Sequence, residues 1–172
     1  MTYSLAVAQK HFYSWAACRA AQAGSAKARR KELLGALQHS GAIEYLNQKP
    51  APAPTAEQFD ALFYNWVERA IAFLKTEHQK EVSFGVLAKL ISVYLKGAWV
   101  LHSSQNCGLA KQIHPPIDSI LLQTIDSLKG TNLSKQYKWQ KLDRTQYGRL
   151  IQSLRSIASN GPLWQIEEHW QP

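Results

Sequence analysis

The stretch Ser83–Leu101, SFGVLAKLISVYLKGAWVL, is the most apolar in the chain, and its reading decides the fold. It exceeds the roughly four to eight residues of a buried strand and lacks the strict alternation of a half-buried one. A central helix is therefore predicted from about Phe84 to Leu101. Lys89 and Lys96 interrupt the apolar run and share one helical stripe with Ser92, at spacings of three, four and seven. Two readings follow. The stripe faces solvent, with the lysine stems lying along apolar surface, or Lys89 points into a cleft.

Outward from this helix the same periodicity recurs. Before it, AEQFDALFYNWVERAIAFLKTEHQ repeats apolar residues at Phe59, Leu62, Phe63, Trp66, Ile71, Phe73 and Leu74, and Thr55 with Gln58 has capping-box spacing. Further back, an Ala-rich helix runs from about Thr2 to Ala23 and is stopped by Gly24. Ser25 caps a second, AKARRKELLGALQHSG, and a short AIEYL helix follows. After the central helix come a loop containing SSQNCG and a helix in HPPIDSILLQTIDSLKG, with Pro116 in its first turn and Gly130 at its end. RTQYGRLIQSLRSIAS is the next helix, ended by Asn160-Gly161, and GPLWQIEEHW adds a short terminal one. No strand pattern or internal repeat is present. The expectation is an all-α domain of about seven helices, with an N-terminal helical hairpin (1–48), a stiff Pro/Ala linker (49–55) and a helical main body (56–172).

The chain has 172 residues, enough for one core, and its 45% apolar content is that of a globular protein. Its net charge is +8, concentrated outside the middle: residues 1–49 carry seven Lys or Arg against two acids, and residues 102–172 carry eight against five. Such a balance favours an anionic partner, nucleic acid first among them. Two distant cysteines, Cys18 and Cys107, give neither a disulfide framework nor a zinc site. The histidines lack metal-ligand spacing, so no metal or cofactor is expected. Neither an export signal nor a membrane span is indicated, and a cytoplasmic protein is expected.

Candidate functional residues cluster in three places. Gly85 opens a helix whose free N–H groups could hold a phosphate, with Lys89 one turn further in. Asp118 stands near a later helix start, where it could serve chemistry or merely complement the helix dipole. His114, just before the two prolines, could donate a hydrogen bond to a base or phosphate or close the loop. Two basic clusters complete the set: AKARRK, with Arg29 and Arg30, and KQYKWQK, where Lys138 and Lys141 flank Trp139. Lysines interleaved with aromatics suit a nucleic-acid backbone and stacked bases; a solvated face is the alternative.

Gly85-Val86 with Lys89, the apolar LISVYL that follows, and Pro116-Ile117-Asp118 resemble the hairpin, helix and P-V-D segment of the helix-hairpin-helix DNA glycosylases. The likeness covers about Ser83 to Leu122, with Leu87 where that hairpin has its second glycine. It implies Lys89 as an amine nucleophile toward the sugar of an extruded nucleotide, Asp118 as its partner, and a pocket for the base with Tyr94, Trp99 and Trp139 as candidates, core packing being the alternative role of these rings. His114 would assist, and Gly85 and Lys96 would hold DNA. The chain also resembles bacterial all-helical proteins with a YLK and HxPID pattern. A non-catalytic module binding nucleic acid or a protein partner through its basic clusters is the alternative expectation.

Overall fold

The computed structural model describes residues 3–23, 27–48, 52–102, 108–159 and 161–170. Among them are eight α-helices, one π-helical turn and three 3-10 turns, with no strand. The all-α expectation is met, and no helix among the described residues is long and apolar enough to cross a membrane.

The helix ends follow capping chemistry. Helix α1 (Leu5–Gln22) starts at Ser4, whose hydroxyl accepts from the Val7 amide. Gly24 and Ser25, read as a stop and a cap, lie outside the described residues. Helix α2 (Arg30–Ser40) starts later than AKARRK suggested, because Glu32 reaches back to the Arg29 amide at 2.7 Å and to its guanidinium at 2.9 Å. Lys27 and Arg29 therefore precede the helix rather than projecting from it. Gly41, at φ +97°, turns the chain into α3 (Ala42–Asn47). Helix α4 (Ala56–His78) opens with the expected capping box: the Gln58 amide donates to Thr55 Oγ1 at 3.2 Å and the Thr55 amide to Gln58 Oε1 at 2.9 Å.

The central helix differs from its expected regular form. Helix α5 spans Phe84–Leu95 and is followed by a π-helical turn, Lys96–Val100, in which the Leu101 amide donates to the Lys96 carbonyl five residues back. Gly97 lies in this turn and touches α1 so closely that a Cβ there would meet Tyr13 Cδ1 at 2.5 Å. Helix α5 is the core: it packs on α1, α4, α8 and the Trp139 turn, and nearly all of it is buried. Leu87, Leu90 and Ile91 have no exposed surface, so truncating Leu87 to alanine costs about 2–5 kcal/mol.

Helix α6 (Ser119–Lys129) begins at Ser119, with Asp118 as its cap, so Pro116 lies before the helix and not in its first turn. Gly130 ends it in the left-handed conformation, as read. Short α7 (Leu133–Gln136) and a 3-10 turn (Trp139–Lys141) lead to α8 (Arg144–Ile157), and a last 3-10 turn covers Leu163–His169. The KQYKWQK aromatics are not a surface: Tyr137 and Trp139 are 7% and 6% exposed. The hairpin α1–α2 is packed on the body, α1 against α5 and α2 against α4.

Candidate functional site

A cleft of about 520 Å³ lies between α1, the end of α5 with its π turn, the start of α6 and the last 3-10 turn. Its walls are apolar, with Phe12, Tyr13 and Ala16 from α1 opposite Val93, Gly97 and Ile120. Its polar groups are Lys89, Lys96, Asp118 and Glu167, two cations facing two carboxylates.

Lys89 and Asp118, 29 residues apart in sequence, meet here at 3.1 Å, with side chains 9% and 13% exposed. Each is held from elsewhere. The Lys89 ammonium sits 4.6 Å from the centre of the Trp139 ring, a cation–π contact that compensates part of its lost hydration. Asp118 Oδ1 accepts from the Leu121 amide at 2.9 Å, which fixes the carboxylate as the α6 cap. Its other oxygen, Oδ2, accepts from Lys89 and from the Trp170 indole N–H, both at 3.1 Å. The dipole-complementing role weighed for Asp118 is thus present beside the ion pair rather than instead of it.

Two turns beyond Lys89, at the start of the π turn, Lys96 pairs with Glu167 of the last 3-10 turn. Burial pushes the Glu167 carboxyl up from its ordinary value, and the Lys96 charge pulls it partly back. Its Oε1 is buried with no hydrogen-bond partner among the described residues. Ser92, the third member of the stripe, is wholly buried, so the stripe is not a solvent-facing seam.

Other expected site residues lie elsewhere. Gly85 does not offer its amide to a phosphate: it donates to the Leu142 carbonyl at 3.1 Å and is pressed against the Trp139 backbone, inside the first turn of α5. His114 does not reach the cleft. It is fully buried, with Nε2 2.8 Å from Asp60 Oδ1 and Nδ1 3.3 Å from the Tyr147 hydroxyl. Since a carboxylate only accepts, Nε2 carries a proton, and burial, which lowers the ring's pKa against the pull of Asp60, favours the neutral form, with Nδ1 left to accept from Tyr147. Arg155 forks onto the same Asp60 at 2.7 and 2.6 Å. Burial alone would raise Asp60, but the hydrogen bonds from Arg155 and His114 prevail and hold it at about 2.

Trp139, read as a stacking surface, serves instead as the buried partner of Lys89. Tyr94 and Trp99 do not line the cleft. Arg30, Lys138 and Lys141 are exposed away from it, and Arg29 spends its guanidinium on Glu32 at 2.8 Å. Glu167, Trp170, Phe12 and Tyr13 were not singled out in the sequence. A cue existed only for the first two, whose spacing of three places them on one side of a tight turn. Among the described residues no three His, Cys, Asp or Glu side chains gather as a metal site.

Comparison of the chain with protein-family models, with curated proteins and with solved structures finds no match.

Proposed function

We propose that the cleft receives an extruded nucleotide of DNA, and that Lys89 and Asp118 act on its glycosidic bond as a base-excision glycosylase/lyase on a modified or damaged base. The observation that carries this reading is the buried ion pair on the wall of an apolar cleft, 3.1 Å between Lys89 Nζ and Asp118 Oδ2. The cleft volume falls in the range of small-ligand sites, about 300–1,000 Å³. Its apolar walls suit an unstacked base, and the net charge of +8 draws the nucleic-acid backbone.

The chemistry balances on this pair. Asp118 Oδ2 takes a proton from the Lys89 ammonium, and the amine attacks C1′ of the extruded nucleotide. The base leaves with the glycosidic electron pair and receives that proton. The nitrogen then loses a second proton to the ring oxygen O4′ as the C1′–O4′ bond opens, leaving a protonated Schiff base between Lys89 and the sugar. The Asp118 carboxylate is restored and faces the new positive charge. A cytoplasmic setting belongs to this reading, because it keeps a free thiol such as Cys18 reduced.

Borohydride trapping on abasic-site DNA tests it. The unaltered protein is expected to form a covalent adduct and Lys89→Gln none; no adduct from the unaltered protein, with salt-sensitive binding retained, would overturn the lyase step. The exposure of Arg30, Lys138 and Lys141 supports a second reading, a non-catalytic nucleic-acid module. In that case binding survives Lys89→Gln and weakens when these cations are neutralised.

A further inference from the structure

The last 3-10 turn has two faces. Residues three apart eclipse one another in a 3-10 helix, so Leu163 and Ile166 fall on one stripe and Trp164, Glu167 and Trp170 on the next. Leu163 and Ile166 are buried at 3% and 4% exposure, and the turn packs on α6 and α8. The second stripe carries the groups that enter the cleft: Glu167 pairs with Lys96, and the Trp170 indole donates to Asp118 Oδ2. Two apolar anchors thus fix the turn to the body while its other side occupies the charged groups of the cleft.

That closure is weakly made. Glu167 Oε1 is buried without a partner among the described residues, which costs the desolvation of a carboxylate oxygen. The turn runs for seven residues, beyond the three or four at which 3-10 geometry is usually abandoned. Lys96 has another option. It opens the π turn, a widened backbone of the kind frequent at functional sites, and its side chain is 33% exposed at the cleft.

We infer that Lys96 is the anion subsite of this cleft, that Glu167 occupies it in the free protein, and that a substrate phosphate displaces Glu167 and lifts Trp170 from Asp118. The identity of the ligand rests on the nucleic-acid reading above, in which the phosphate beside the extruded nucleotide is the anion. A lysine ammonium is a point-charge phosphate binder, and a phosphate brings several acceptor oxygens where Glu167 brings one engaged oxygen. The exchange also readies the chemistry: with the indole gone, Lys89 keeps Asp118 Oδ2 to itself.

The test uses protein labelled with 5-fluorotryptophan, the Trp170 fluorine line being assigned with Trp170→Phe and titrated with thymidine 5′-monophosphate or with thymidine. The monophosphate is expected to shift the line and thymidine to leave it in place. Lys96→Gln should abolish the shift. Glu167→Gln should bind the monophosphate about tenfold tighter, the gain when a closure populated in about nine molecules of ten is removed. A Trp170 line unmoved at saturation, or an affinity unchanged in Glu167→Gln, overturns the inference. Should Glu167→Gln melt below the assay temperature, Trp170→Ala read by calorimetry takes its place, with the same tightening expected and an unchanged affinity overturning the inference. A shift with no borohydride adduct would leave the subsite standing and remove the base-excision reading; a Lys89 adduct with a stationary line would remove the gate alone.

Discussion

Gly85 and Trp139 are in backbone contact: a Cβ on Gly85 would stand 1.9 Å from the Trp139 carbonyl oxygen. This approach seats the Trp139 turn on α5, and with it the ring that faces the Lys89 ammonium. Gly85→Ala must push two backbones apart, and a loss of about 3 kcal/mol or more is expected. At about 2–4 °C per kcal/mol for a chain of this size, the melting temperature falls by about 6–12 °C. Differential scanning calorimetry checks it; a variant melting with the unaltered protein would contradict the packing.

Asp118 does two jobs, and substitutions separate them. Lys89→Met strands a buried carboxylate and should cost about 3–5 kcal/mol. Asp118→Ala strands the ammonium and also uncaps α6, adding about 1 kcal/mol, whereas Asp118→Asn keeps a capping oxygen and avoids that addition. Urea unfolding of the three variants measures the order: Asp118→Ala is the least stable, and Asp118→Asn recovers the capping share.

The buried His114 makes stability depend on pH. Its folded pKa lies below the ordinary 6.5, so the unfolded chain takes up a proton first as pH falls. The contribution is complete above about 6.5 and is lost as pH drops from there toward the folded value. Melting temperature should therefore decline as pH is lowered below 6.5, and His114→Gln should flatten that decline. Asp60, held at about 2 against an ordinary 3.8, adds a second loss only in the acid window between those values.

Cys18 is 1% exposed, and burial raises its thiol to about 11, against which the Arg30 charge acts only in part. Thiolate is the reactive form. Peptide mapping after alkylation at pH 8 should find Cys18 unmodified in the folded protein and fully modified in urea.

The helices were legible because apolar spacing and capping pairs act over one or two turns. Thr55 with Gln58 and Gly130 sit where they were read, and the central helix starts at Phe84 as expected, with Ser83 as the cap the structure adds. The π turn was not legible: its widened backbone is matched to Gly97 lying under Tyr13, a contact across 84 residues of sequence. The start of α2 escaped because Arg29 is an unusual cap, made effective by Glu32. Within the site, the order of Lys89 and Asp118 pointed to a pair, and their side chains meet. His114 misled because its partner, Asp60, lies 54 residues away and draws it into a different buried network. Glu167 and Trp170 carried too little pattern of their own, since it is the turn beneath them that aims both at one cleft.

The π turn holds one residue more than a regular helix needs. Deleting Ala98 would remove that surplus residue and let the hydrogen bonds revert to four-residue spacing, the four residues left closing the turn that five close now. Lys96 and Leu101, which both line the cleft, would then stand four residues apart instead of five. One wall of the cavity is in this sense built with a residue to spare, which length of chain alone can remove without changing a single charged group inside.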